Sequence, residues 1–175
     1  MKRQLLAGRF GPDDHVDVPV GVDEQRTYLQ LVAGEKSLDH GIGGALTSLK
    51  KIGVFPSEIG VDLLVLAAHV HAADTRISRA EQSQDSWTRE IRLVVPVSDP
   101  VRWGTATATL KKSLDFLTGD QWTIGFRARP ARFATIAEEV APDLGATMAG
   151  PPMLWLAVAA VLAVAGIVLP LVFHG

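Results

Sequence analysis

The sequence has no cysteine among its 175 residues. That removes disulfides, zinc–thiolate sites, iron–sulfur clusters and a cysteine nucleophile. It fits a reducing compartment. Aromatic residues are sparse, at 6% with a single tyrosine. No Walker A loop, Gly-x-Ser-x-Gly elbow or His-Glu-x-x-His pair occurs. Neither sign of charge dominates, with 17 Lys and Arg against 19 Asp and Glu and a net charge of −2. Net charge therefore does not indicate nucleic acid, which stays an open partner class. A hydrophobic content of 47% excludes a disordered chain. The length allows one domain, or one domain with an appendage.

Charge is also missing from one end. Residues 144–175 contain no Asp, Glu, Lys or Arg. Within them, residues 151–173 read PPMLWLAVAAVLAVAGIVLPLVF. A helix of about 20 residues spans the roughly 30 Å hydrocarbon core, so this run is long enough to cross a membrane. Pro151 and Pro152 can open such a helix without losing a hydrogen bond. Pro170 falls near its end, where a lost bond costs least. Trp155 and Phe173 would sit near opposite interfaces. Ala159, Ala160, Ala163 and Gly166 would permit close helix packing. Arg127, Arg129 and Arg132 precede the run and only His174 and Gly175 follow it. The positive-inside rule then keeps the N-terminal domain in the cytoplasm. The apolar run near the N-terminus is too short for a signal peptide, so the expectation is a single-pass, tail-anchored protein of the bacterial inner membrane. Two other readings of the run are a buried core helix and the accidental product of a shifted reading frame.

Residues 1–130 read as a small α+β domain, and 131–150 as an Ala-, Pro- and Gly-rich linker. Alternation predicts strands at His15–Val20 (HVDVPV) and Thr27–Ala33 (TYLQLVA). A helix is predicted at about Gly43–Ile52, stopped by Gly53. A second, about Ser57–Thr75, is apolar nearly all round and should be the central buried helix. Its remaining polar line is Glu58, Asp62, His69 and Arg76, which is expected to be a solvated stripe. Trp87–Val97 is the best strand. Asp99 should cap a third helix with Pro100 at its first position and a buried stripe of Trp103, Ala106, Leu110, Leu114 and Leu117. A last strand covers Gln121–Arg129, and RFATIAEEVA adds one short helix. The order predicts a small mixed sheet with about three helices packed on one face.

Chemistry is thin in this pattern. The line Glu58, Asp62, His69 offers too few convergent ligands for a metal, and His69 and His71 lie about 200° apart on a helix. The glycines of GIGGAL (Gly41–Leu46) open a helix and could cradle a phosphate. No catalytic residue, metal ligand or cofactor is assigned. Arg76, Arg79, Arg89 and Arg92 gather with Trp87 around a polar loop and could present an anion- or partner-binding surface. Asp74, Glu81, Asp85 and Glu90 are interleaved, so a neutral ion-pair network is the default for these residues. The candidate binding residues are Arg76, Arg79, Trp87 and Arg89.

Three ordered stretches carry a family likeness: PSEIGVDLLVLAAHVHAADTRISR, DSWTREIRLVVPVSDPVRW and LDFLTGDQWTIGFRARP. Together they resemble the N-terminal module of QueC-like proteins of bacterial antiphage defence islands, of the Qat type. The likeness covers about Leu38 to Pro130, roughly half the chain. In that family the module precedes an ATP-dependent 7-cyano-7-deazaguanine synthase-like domain with an SGGxDS loop. Here the pattern ends after Pro130, no SGGxDS occurs, and no cysteine is present for the zinc site of such synthases. The resemblance thus carries over no synthase activity and no active-site residue. It implies a defence-island setting and a recognition or assembly role. The resulting expectation is a non-enzymatic, membrane-anchored module with a partner protein. The alternative is a regulatory or substrate-binding subunit, or a truncated remnant, of a QueC-like synthase.

Overall fold

The computed structural model describes residues 3–11, 13–33, 37–38, 42–79 and 87–137. The run 151–173, most of the 131–150 segment, Glu81, Asp85 and Gly41 lie outside the described residues. Four strands form one sheet: β1 (Arg3–Arg9), β2 (Glu24–Gln30), β5 (Glu90–Val97) and β6 (Gln121–Ala128), in the order β2-β1-β5-β6. A two-stranded ribbon of β3 (Val32–Ala33) and β4 (Ser37–Leu38) follows β2. The helices are α1 (Ile42–Lys51), α2 (Glu58–Arg76) and α3 (Pro100–Thr118).

Every pairing in the four-stranded sheet is parallel, so the expected mixed sheet is corrected. The reason lies in the first strand. RQLLAGR, not HVDVPV, supplies it, and residues 15–20 run as irregular connection. Leu5, Leu6 and Ala7 are buried on both faces, which is how a central parallel strand reads. The strand predicted at 27–33 is broken at Leu31, with β2 starting earlier at Glu24. β5 begins at Glu90 rather than Trp87.

The helices form where the sequence dictates. Ser57 caps α2, its hydroxyl accepting from the Gly60 N–H at 3.4 Å. The Asp99 carboxylate caps α3 by accepting from the Arg102 N–H at 3.0 Å. Gly53 and Gly119, at φ 76° and 72°, turn the chain after α1 and α3 as a residue with a Cβ would resist.

All three helices pack on one face of the sheet. Leu6, Leu29, Ile91, Leu93, Val95, Trp122 and Ile124 meet Ile42, Leu46, Val61, Val65, Leu66, Trp103 and Leu114 in one core. Each such large side chain, fully buried, stabilises by about 1.5–3 kcal/mol. The α3 stripe is shorter than predicted, because Leu117 is exposed. The second face has no helix among the described residues. The β1–β2 connection covers part of it through Val18, which packs with Leu5 and Ala7. Ion pairs coat much of the rest, including Arg92 with Glu24, Arg26 with Asp17, and Arg3 with Glu90. Arg9 stacks on Tyr28 with its guanidinium carbon 3.4 Å from the ring centre.

Candidate functional site

Charged side chains gather at both ends of the sheet. The amino end holds the residues singled out from sequence. Arg89, just before β5, is buried, and so is Asp120, just before β6. Their side chains meet at 2.6 Å, and the Arg89 backbone N–H also donates to Asp120 at 3.0 Å. Arg89 further donates to Asp74 at 2.9 Å and to the Ile77 carbonyl at 2.6 Å. Arg79 grips the same Asp120 with both terminal nitrogens, at 2.8 and 3.0 Å, and donates to the Trp87 carbonyl at 3.0 Å. Burial works against Arg89's charge, but its hydrogen bonds and attraction to Asp120 and Asp74 outweigh that and raise its pKa. Burial likewise opposes the Asp120 carboxylate. Its hydrogen bonds from Arg89 and the charges of Arg89 and Arg79 prevail and lower its pKa. Arg89 is thus consumed inside the domain. Arg76 is exposed, Arg79 is half-buried, and the Trp87 indole stands 69% exposed beside them.

The carboxyl end was not foreseen. Strand order reverses between β1 and β5, the place where open parallel sheets form their ligand crevices. The two strands part there. Their pairing stops at Ala7 with Val94, while β1–β2 runs on to Arg9 with Gln30 and β5–β6 to Val97 with Ala128. Pro96 explains the parting. It has no N–H to donate, and its Cδ lies 2.7 Å from where a Cβ on Gly8 would stand. The Gly8 carbonyl accepts from Arg127 at 2.8 Å instead. Arg127 also pairs with buried Asp14, which accepts from the Phe10 N–H at 2.9 Å.

Beside them lies a second buried cluster around Asp62. This carboxylate accepts from the Ser98 N–H at 2.9 Å, the Ser98 hydroxyl at 2.7 Å, the Trp103 indole at 2.8 Å and the Arg129 guanidinium. Arg129 reaches Glu58 at 2.6 Å as well. The expected solvated stripe on α2 is therefore corrected: Asp62 and His69 are both fully buried. Helix packing on the sheet turns that face inward. The His69 Nδ1–H donates to the Val65 carbonyl, 2.7 Å away, and the ring lies against Gly8. A Cβ on Gly8 would come within 2.5 Å of this ring, which is why β1 needs glycine there.

Residues beyond β6 close the crevice. Phe133, in a short 3-10 turn (Ala131–Phe133), stacks on Phe10 at 5.0 Å between ring centres. Ile136 is buried, and the Ala137 N–H donates to Glu58 at 2.6 Å. The crevice is thus filled by the chain's own side chains, its carboxylates each engaged by a guanidinium. Sequence held one signal for this cluster. An Asp on a helix apolar nearly all round is a buried, paired residue, because an unpaired one would not be tolerated there.

Comparison with protein-family models, curated proteins and solved structures finds no match to this chain. Among the described residues, no three His, Asp or Glu side chains gather to hold a metal ion. Among them, too, no helix is long and apolar enough to cross a membrane.

Proposed function

We propose that this protein is a non-enzymatic, membrane-anchored binding and assembly module of the bacterial inner membrane, working in an antiphage-defence setting. One observation carries the reading. A charge-free run, 151–173, follows a folded domain whose buried carboxylates and guanidiniums are spent on each other. The run supplies the anchor, and the domain supplies a partner surface at Arg79 and Trp87. The N-terminal domain lies in the cytoplasm. Arg127, part-buried, and Arg129, buried, are both taken up in ion pairs, so the positive-inside argument rests on exposed Arg132.

Fractionation of the tagged, full-length chain with a carbonate wash and protease protection tests this. The protein should stay with washed membranes, its N-terminal domain protected in intact cells. Leu162→Arg should release it, since a charge at the bilayer centre costs about 2.5–3.5 kcal/mol on insertion scales. Retention of that variant would overturn the anchor. The family likeness favours a second reading, a regulatory subunit or remnant of a separately encoded QueC-like synthase. Copurification with an SGGxDS protein, and ATP turnover by the pair, would support it.

A further inference from the structure

Among the described residues, the two outer strands of the sheet treat their outer edges differently. On β6 the Gln121 N–H donates to the Arg89 carbonyl and the Arg129 N–H to the Val97 carbonyl, so odd-numbered residues face β5. Even-numbered residues face outward, and side chains cap them at both ends. The Trp122 N–H donates to the Asp115 carboxylate at 2.8 Å, and the Ala128 carbonyl accepts from Arg127 at 3.0 Å. Such capping is how a protein blunts an edge.

On β2 the odd-numbered residues again face inward. The Arg3 N–H donates to the Asp23 carbonyl and the Leu31 N–H to the Arg9 carbonyl, both at 2.8 Å. Arg26, Tyr28 and Gln30 therefore turn both backbone groups outward, and no side chain among the described residues caps them. The strand carries no proline, lysine or bulge to discourage pairing. Three outward residues in a row ask for a strand with the same spacing.

We propose that β2 pairs antiparallel with β2 of a second copy, about a twofold axis through Thr27, joining two sheets into one. The sequence is self-complementary in that register. Arg26, held on its own chain by Asp17, opposes Tyr28 of the second copy, a guanidinium against an aromatic ring, once on each side of the axis. Glu24, whose N–H and carboxylate are engaged by Gly21 and Arg92, ends the paired stretch opposite Gln30. No like charges face each other, and the outward residues of one strand meet those of the other. Thr27, exposed, meets its own mate at a closely spaced, non-hydrogen-bonded pair. The twofold makes the contact closed rather than filament-forming.

The absence of cysteine makes the test clean, because a single introduced thiol is the only one. In the full-length chain, Thr27→Cys should form a disulfide-linked dimer on mild oxidation, since the Cα separation of such a pair suits a disulfide. Thr123→Cys, on the other edge strand, should stay monomeric under the same conditions. Adding Gln30→Pro, which removes an outward N–H that no described residue accepts, should cut the crosslink about tenfold. Equal crosslinking at both positions, or a monomer mass for the wild type at micromolar concentration, would overturn the pairing. So would a chain that stays monomeric and captures an extended foreign peptide along β2. None of these outcomes depends on whether 151–173 enters a membrane.

Discussion

The two ends of the sheet use the same chemistry in different surroundings. At the amino end, Arg89 and Asp120 are buried, yet their partners Arg79 and Asp74 keep 34% and 58% of their side chains exposed. At the carboxyl end, Asp62, Asp14 and Arg129 are each 1% exposed or less, and their partners Arg127 and Glu58 keep only 12% and 25%. The first network borders water, which can step in when a partner is lost. The second is sealed by Trp103, Phe10 and Phe133, so a lost partner leaves a charge in an apolar site. Burial, rather than the number of ion pairs, should set what each network contributes.

The largest effect should come from Asp62→Ala. It strands Arg129 and removes the acceptor for Ser98 and Trp103. Urea unfolding should show a loss of about 3–5 kcal/mol. A loss no larger than that of Asp120→Asn would mean the two ends are equivalent and the contrast fails. Asp120→Asn comes next, at about 3 kcal/mol, because buried Arg89 keeps only Asp74 as a carboxylate partner. Its pH dependence sharpens the comparison. The folded-state pKa of Asp120 is lowered, so its contribution is fully present above the ordinary Asp pKa of about 4 and is lost as pH falls through the folded value. The stability gap between wild type and Asp120→Asn should stay flat from neutral pH to about pH 5 and close below that. A gap that widened on acidification would mean that folding raises, rather than lowers, the Asp120 pKa. The smallest effect should be Gly8→Ala, at about 1–3 kcal/mol, since the new methyl meets the His69 ring and Pro96. Removing the ring in a Gly8→Ala/His69→Ala double variant should recover part of that loss, and strict additivity in thermal melts would argue against the contact.

The contrast also separates what could be read from the chain. The amino-end network was legible in part: interleaved Arg and Asp point to Asp74 with Arg79 and Arg89, but the shared acceptor Asp120 comes from the turn before β6, far along the chain. The helices were legible for a similar reason: caps, glycine stops and apolar periodicity are local. The carboxyl-end network joins Asp14, Asp62, Ser98, Arg127 and Arg129, which only the folded sheet brings together. Strand β1 is hidden in the sequence because a central parallel strand shows no alternation, whereas HVDVPV imitates a strand because it does alternate. The polar face of α2 looks solvated in the sequence because periodicity tells which residues share a face, not which way the face points.

The closure of the crevice by residues 130–137 has a mechanical consequence. Ala137 is fastened to Glu58 at the start of α2, with Ile136 buried behind it. Whatever grips the chain past this point grips the domain by its carboxyl edge. The exposed Trp87 sits at the opposite rim, about 25 Å away along an eight-residue strand. A load applied there would be carried by Phe133 on Phe10 and by Arg129 in its carboxylates before it reached any strand, and the far rim would be held outward like the head of a nail.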